Sequence, residues 1–202
     1  MATDLPDLTD LTPGARRILD VGSALFYENG IHAVGVDTIA SESGVTKPIL
    51  YKNFGSKDGL VVAYLANRHR WWWALLEAEV ERAASPRVLA VFDVYAADHG
   101  NSSRGCAFLN AAAELPADHP AHGVIRYHKH SVYALLKELV GEDVPADVDH
   151  ETLANHLFLL VEGAFAHRPV YGTELLTRAR GMAADLIESE SGVTPASPGR
   201  SR

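Results

Sequence analysis

The stretch Val36-Asp37-Thr38-Ile39-Ala40-Ser41-Glu42-Ser43-Gly44-Val45-Thr46-Lys47-Pro48-Ile49-Leu50-Tyr51-Lys52-Asn53-Phe54 constrains the chain more than any other, because it is written as two short helices joined at one glycine. Val36 or Asp37 opens the first helix, and Ile39 and Ala40 give it an apolar side. Gly44 stands where a helix ends in the left-handed conformation, which only glycine enters cheaply. Thr46 is placed to cap a second helix, and Pro48 falls in that helix's first turn, where the missing N–H is no loss. Ile49, Leu50 and Phe54 supply apolar anchors, while Lys47, Tyr51 and Lys52 point elsewhere. Two helices meeting over a glycine turn form a helix-turn-helix.

Charge sets this region apart. The chain carries a formal net charge of -8, yet residues 45–70 hold Lys47, Lys52, Lys57, Arg68 and Arg70 against Asp58 alone. Attraction to phosphate is screened within about 10 Å at ordinary salt, so a local basic island serves on an acidic protein as well as it would on a basic one.

The segment Ala15 to Leu65 resembles the DNA-binding domain of TetR-family (tetracycline-repressor-like) transcriptional regulators. The residues that carry the likeness are Phe26, Gly30, Thr38-Ile39-Ala40, Gly44-Val45-Thr46-Lys47, Leu50-Tyr51, Asn53-Phe54 and Ser56-Lys57-Asp58-Gly59-Leu60. Ile49 and Asn53 depart from the family pattern, in which many members carry a small polar residue and a histidine there. The resemblance implies an all-α chain: a three-helix helix-turn-helix domain followed by a helical ligand-binding and dimerisation domain. It implies that Thr38, Tyr51, Lys52 and Lys57 hold phosphates of a double-stranded operator, while Thr46, Lys47, Pro48 and Ile49 approach base edges. It also implies a repressor that works as a homodimer and is released by a small-molecule effector.

The rest of the chain reads as helices and connections. Residues 1–11 form a loose, acidic arm; residues 12–62 are the helix-turn-helix domain, 63–188 the helical regulatory and dimerisation domain, and 189–202 a disordered Ser/Gly/Pro-rich tail. Thr12-Pro13 starts a helix whose face is Ala15, Ile18, Leu19, Gly22, Leu25 and Phe26, closed by Gly30. Gly55-Ser56 begins one long helix with no strong breaker before Ser85-Pro86, so the junction between the domains lies inside it, near residues 60–68. On that helix Trp71-Trp72-Trp73 covers most of the circumference, and at least one indole must leave the core. Asn101 to Gly105 reads as a polar loop, Cys106 to Leu115 as a short helix and Pro120 to Val140 as the next. The helices near 150–166 and 173–188 carry apolar faces too broad for a small domain to bury alone, and the corresponding helices of the resembled family form a dimer interface. Leu160 is the residue expected to test that interface.

For the effector, Trp72, Phe92, Tyr95, Phe108, Asn110, Tyr127 and Phe165 form a mostly aromatic candidate lining, suited to a small hydrophobic or aromatic molecule. Each of these side chains can equally fill a dry core, and Asn110 is either a satisfied core amide or a ligand contact.

Other chemistries lack their residues. His119-x-x-His122 straddles a helix start and His128-x-His130 points to opposite sides of a helix, so no metal site is expected. Cys106 is the single cysteine, with Arg104 its one basic neighbour in sequence, and reads as a small buried hydrophobe. Asp143, Asp147, Asp149 and Glu151 sit where carboxylates cap helices, and no glycine-rich phosphate loop occurs. No catalytic residue, cofactor or enzymatic activity is therefore assigned. No apolar run reaches membrane-spanning length and the acidic N-terminal residues do not resemble a leader, so a cytoplasmic location with no membrane partner is expected.

Overall fold

The computed structural model describes residues 5–97 and 104–191, and among them ten helices and no strand. They are α1 (Pro13–Asn29), α2 (Val36–Ser43), α3 (Lys47–Phe54), α4 (Lys57–Arg82), α5 (Val88–Ala96), α6 (Ala107–Glu114), α7 (Ala121–Asp143), α8 (His150–Ala166), α9 (Arg168–Tyr171) and α10 (Glu174–Ser191). No helix of the described residues is long and apolar enough to cross a membrane.

Local chemistry accounts for most helix ends. The Thr12 hydroxyl accepts the Ala15 N–H at 3.3 Å and Pro13 opens α1. Gly44 ends α2 at φ 64°, the left-handed geometry its position demands. The Ser56 hydroxyl accepts the Gly59 N–H at 3.0 Å and so caps α4, a helix of 26 residues. Asp149 caps α8 by accepting the Thr152 N–H at 3.1 Å and the Thr152 hydroxyl at 2.7 Å, and these bonds hold its pKa below the ordinary carboxylate value.

The chain divides into two compact units. The first is Met1–Trp72 with Cys106–Lys129; the second is Trp73–Gly105 with His130–Arg202. In the first, Ile18 and Leu19 of α1, Ile39 of α2, Leu50 of α3 and Leu60 and Leu65 of α4 are fully buried, and the Phe26 and Tyr64 rings pack at 5.8 Å. Each such aliphatic side chain contributes about 1.5–3 kcal/mol by leaving water. In the second, α10 packs on both α8 and α5. Leu76, Phe92, Leu136, Leu157, Leu176 and Ile187 fill that core. Polar ties fasten its helices: Arg180 grips Asp93 through two bonds of 2.6 and 3.1 Å, and the Tyr95 hydroxyl reaches Glu162 at 2.9 Å.

Several expectations shift. The unit holding the helix-turn-helix runs to Trp72, not to residue 62, and takes in α6 and the first part of α7. Thr46 occupies the cap position of α3 but its side chain makes no capping bond. The N-terminus of α5 is capped instead from the far end of α7, where Asp143 accepts the Val88 N–H at 2.9 Å. Residues 5–11 carry no helix, yet Leu8 is buried and Arg16 and Arg70 donate to the Leu8 and Pro6 carbonyls. This part of the arm is therefore tied down, whereas residues 1–4 lie outside the described residues. The expected tail begins inside α10, and 192–202 lie outside the described residues, as does most of the expected polar loop. Trp71 is the indole that leaves the core, at 42% exposure, and it packs against the Arg68 guanidinium.

Candidate nucleic-acid interface

The glycine turn between α2 and α3 is built from a residue that the sequence did not advertise. Ser43 is fully buried; its hydroxyl donates to the Ala40 carbonyl and accepts the Val45 N–H, both at 3.3 Å. This bridges the glycine and sets the angle at which α3 leaves. Leu50 then anchors α3 in the core at 0% exposure, which turns the opposite side of the helix to solvent. Thr46, Lys47, Pro48, Tyr51 and Lys52 are exposed on it, and Thr38 is exposed on α2.

Three of the expected contacts are more constrained than the sequence suggests. Lys47 forms an ion pair with Asp37, which raises its pKa and holds its ammonium over the start of α2. Ile49 is half-buried, its Cγ2 only 3.7 Å from the place a Cβ on Gly14 would occupy, so part of its side chain packs on α1. Lys57 is half-buried with Nζ donating to the Ile31 carbonyl at 2.7 Å and lying 6.0 Å from the Phe26 ring centre. Its charge is engaged by the scaffold. Arg16 is likewise engaged, with Asn67 and Leu8, while Arg17 is exposed. Asn53 turns inward on its own helix and donates to the Ile49 carbonyl at 2.7 Å.

Residues 18–64 match the family model of bacterial regulatory proteins of the tetR family. Over the whole chain the likeness continues. SCO4454, a TetR-family transcriptional regulator from Streptomyces coelicolor, is 31% identical, and the match covers 88% of this chain and 96% of that one with a TM-score of 0.80. The chain belongs to the TetR family. A putative TetR-type regulator from Streptomyces avermitilis, sav143, is 27% identical over 88% of this chain and 99% of its own, with a TM-score of 0.74. The HTH-type transcriptional activator FasR of Mycolicibacterium smegmatis is 45% identical over 53 residues, which is 26% of this chain and 24% of FasR. The chain thus spans about a quarter of that curated relative, in a stretch no longer than a DNA-binding module.

As a TetR-family chain it is a DNA-binding transcriptional regulator with a helix-turn-helix domain and a helical C-terminal domain. The aromatic residues expected around an effector fall into two clusters, one in each unit. In the first unit, Phe108 stacks on His128 with ring centres 3.8 Å apart and planes 9° apart; Trp72 meets the same imidazole edge-on at 5.2 Å, and Tyr127 meets His69 at 5.1 Å. His69 and His128 are both buried with their Nδ1 atoms 3.0 Å apart, a pair that can share one proton as N–H···N. Burial chiefly, with Lys129, His69 and Arg68 adding to it, pushes the His128 pKa well below 6.5. Asn110 is half-buried on α6.

In the second unit, Phe92 is fully buried, and Tyr95 packs edge-on against Phe165 with ring centres 4.9 Å apart. Arg168, which is 8% exposed, donates to the Tyr95 carbonyl at 3.1 Å. Sequence alone offered no sign of the histidine pair, because its members are 59 residues apart. Nor did it place Lys129 beside Cys106, where the ammonium reaches the sulfur at 3.4 Å.

The faces of α8 and α10 also differ from expectation. Leu159, at 67% exposure, is more exposed than the half-buried Leu160, and Met182 on α10 is 54% exposed. They line a groove of about 680 Å³ together with Leu160, Leu186, His156 and Asp185.

Proposed function

We propose that the chain is a homodimeric repressor that places one α3 in each of two successive major grooves of a palindromic operator and is released by a small-molecule effector. The observation that carries the DNA reading is the outward side of α3, where Thr46, Lys47, Pro48, Tyr51 and Lys52 are exposed over the buried Leu50. On this reading Thr46, Lys47 and Pro48 approach base edges, with Ile49 offering the exposed part of its side chain to a thymine methyl. Thr38, Tyr51 and Lys52 hold phosphates, and Lys57, tied to Ile31, fixes the frame that carries them. The exposed Leu159 and Met182 support a two-fold interface through α8 and α10, since leucine and methionine left in water favour burial against a second copy.

The effector is a small, mostly apolar or aromatic molecule. The half-buried Trp72, Asn110 and Tyr127 of the first unit retain surface to meet it; Phe165, in the second unit, is tested separately. The name of FasR makes activation the second reading. Selection of bound sequences from a random duplex pool tests the DNA role, and enrichment of a palindrome is expected. A reporter gene placed under that palindrome then separates repression from activation, and release of the duplex by aromatic or acyl compounds tests the effector. A chain that enriches no duplex is not a DNA-binding regulator.

A further inference from the structure

Two side chains from the α6–α7 region grip the helix-turn-helix at opposite ends. The first is Glu114, the last residue of α6. Its carboxylate accepts the main-chain N–H of His32 at 3.1 Å, while the His32 ring Nε2 donates to the Glu114 carbonyl at 2.5 Å. Glycine at position 30, in the loop that leads into α2, suits this approach chiefly through its backbone conformation. A Cβ there would stand 3.1 Å from both carboxylate oxygens, and the backbone has φ 90°. The same loop is held from its other side by Lys57 on the Ile31 carbonyl.

The second grip is His119, just before α7. Its Nδ1 accepts the Ala121 N–H at 3.1 Å, so in the neutral ring Nε2 carries the hydrogen, and this nitrogen faces Asp58 in the first turn of α4 at 3.4 Å. The His119 side chain is 7% exposed and Asp58 is open to water. One grip therefore precedes α2 and the other follows α3. All of these residues belong to the first unit. At its own N-terminal end α6 is anchored in that unit's core by the buried Ala107, Phe108 and Ala111, with Phe108 stacked on His128. Helix α6 so anchored runs from the core to the loop before α2.

We propose that Glu114 and His119 are positioning residues: without touching DNA they fix the helix-turn-helix on α6 and α7, and so set which spacing between operator half-sites the dimer accepts. This rests on the dimeric DNA-binding reading above. With the Glu114 bonds gone, the loop from Gly30 to Gly35 keeps its buried Ile31 and Val34 and the Lys57 bond but loses its polar tie to α6, and α2 and α3 populate orientations other than the bound one. The apparent affinity then falls in proportion to the competent fraction. Duplexes with the wrong spacing fit some of the new orientations, so discrimination between spacings falls too.

The test uses the full chain and the half-site that the wild type itself selects, presented in duplexes whose two half-sites are moved apart or together by single base pairs. Glu114→Ala and His32→Ala are expected to bind the preferred spacing about tenfold more weakly, which corresponds to one hydrogen-bonding group lost from a held loop. The preference over neighbouring spacings should shrink, while the dependence of affinity on salt stays that of the wild type, because no phosphate contact is removed. Glu114→Gln, whose amide oxygen can still accept the His32 N–H, is expected to restore both affinity and spacing preference. A melting curve on each variant shows whether it is folded; should Glu114→Ala melt early, His32→Ala, at an exposed position, carries the test. Folded variants with wild-type affinity and wild-type spacing preference overturn the proposal. A flattened salt dependence overturns it as well, because it makes these residues direct phosphate contacts. A wild type that enriches no duplex sinks the DNA reading itself and is thereby distinguished from failure of the grip.

Discussion

The outward face of α3 and the outward face of α8 with α10 are both left exposed by helices whose other sides are buried, and they are made of opposite materials. On α3 the exposed residues are Thr46, Lys47, Tyr51 and Lys52; on α8 and α10 they include Leu159 and Met182. A lysine in water loses nothing by waiting for a partner, and the energy it gains on a phosphate is mostly counterion release, which salt erases. An exposed leucine and methionine hold unfavourable hydration that only contact relieves, and salt leaves that gain almost intact. The two faces should therefore part company whenever ionic strength is changed: the first lets go of its partner and the second holds.

The largest test of that contrast removes the apolar face. Leu159→Glu combined with Met182→Glu is expected to give monomers in sedimentation equilibrium at any salt, and to weaken binding to a two-half-site duplex by roughly a hundredfold or more, since the second half-site no longer benefits from the first. A dimer that survives both changes breaks the comparison. Next in size is Leu50→Ala, which empties the anchor beneath α3 and should destabilise the chain by about 2–5 kcal/mol in denaturant titrations. Leu159→Ala, exposed, should scarcely move the same curve.

On the polar face, Lys47→Ala is expected to relax preference at one base pair by ~1–3 kcal/mol, read as competition between duplexes differing at single positions. Asp37→Asn sharpens this, because it releases Lys47 from its ion pair and should strengthen operator binding.

Acid probes the core of the first unit. His128 resists protonation in the folded chain, its pKa lying well below 6.5, whereas in the unfolded chain it titrates ordinarily. The unfolded state thus binds more protons below pH 6.5, and stability present above that value is lost as pH falls, with a slope of at most about 1.4 kcal/mol per pH unit. Asp7 and Asp149, whose pKa values lie below 3.8, lose their contribution only at lower pH. His128→Asn should flatten the fall of the melting temperature below pH 6.5. The smallest effect separates two lysines: Lys52→Ala should reduce the salt slope of operator binding by about one, and Lys57→Ala should leave the slope alone while lowering the melting temperature.

Whatever neighbouring residues decide among themselves is legible in the chain as written. Gly44 had to end α2, Thr12 and Pro13 had to start α1, and Asp149 capped α8 as its place before an apolar run implied. The apolar period along α3 put Leu50 inside and the lysines outside for the same reason. Met182 lies open on α10, one of the two helices whose apolar faces were too broad for a small domain to bury alone. An apolar residue is a statement about what it prefers, and only packing says whether the preference was met.

Sequence by itself therefore determined the all-α class, the helix-turn-helix and the residues it displays, because helix ends, turns and amphipathic faces are set within a few residues of one another. Tertiary structure alone decided that α6 and the start of α7 join the unit that carries the helix-turn-helix, and that His69 meets His128 and Glu114 meets His32. It also decided that Lys57 serves a carbonyl of its own fold. Those partners are 59, 82 and 26 residues apart, and no local periodicity carries information across such distances. They are brought together by the burial of the cores as a whole, and their chemistry exists only once those cores have closed.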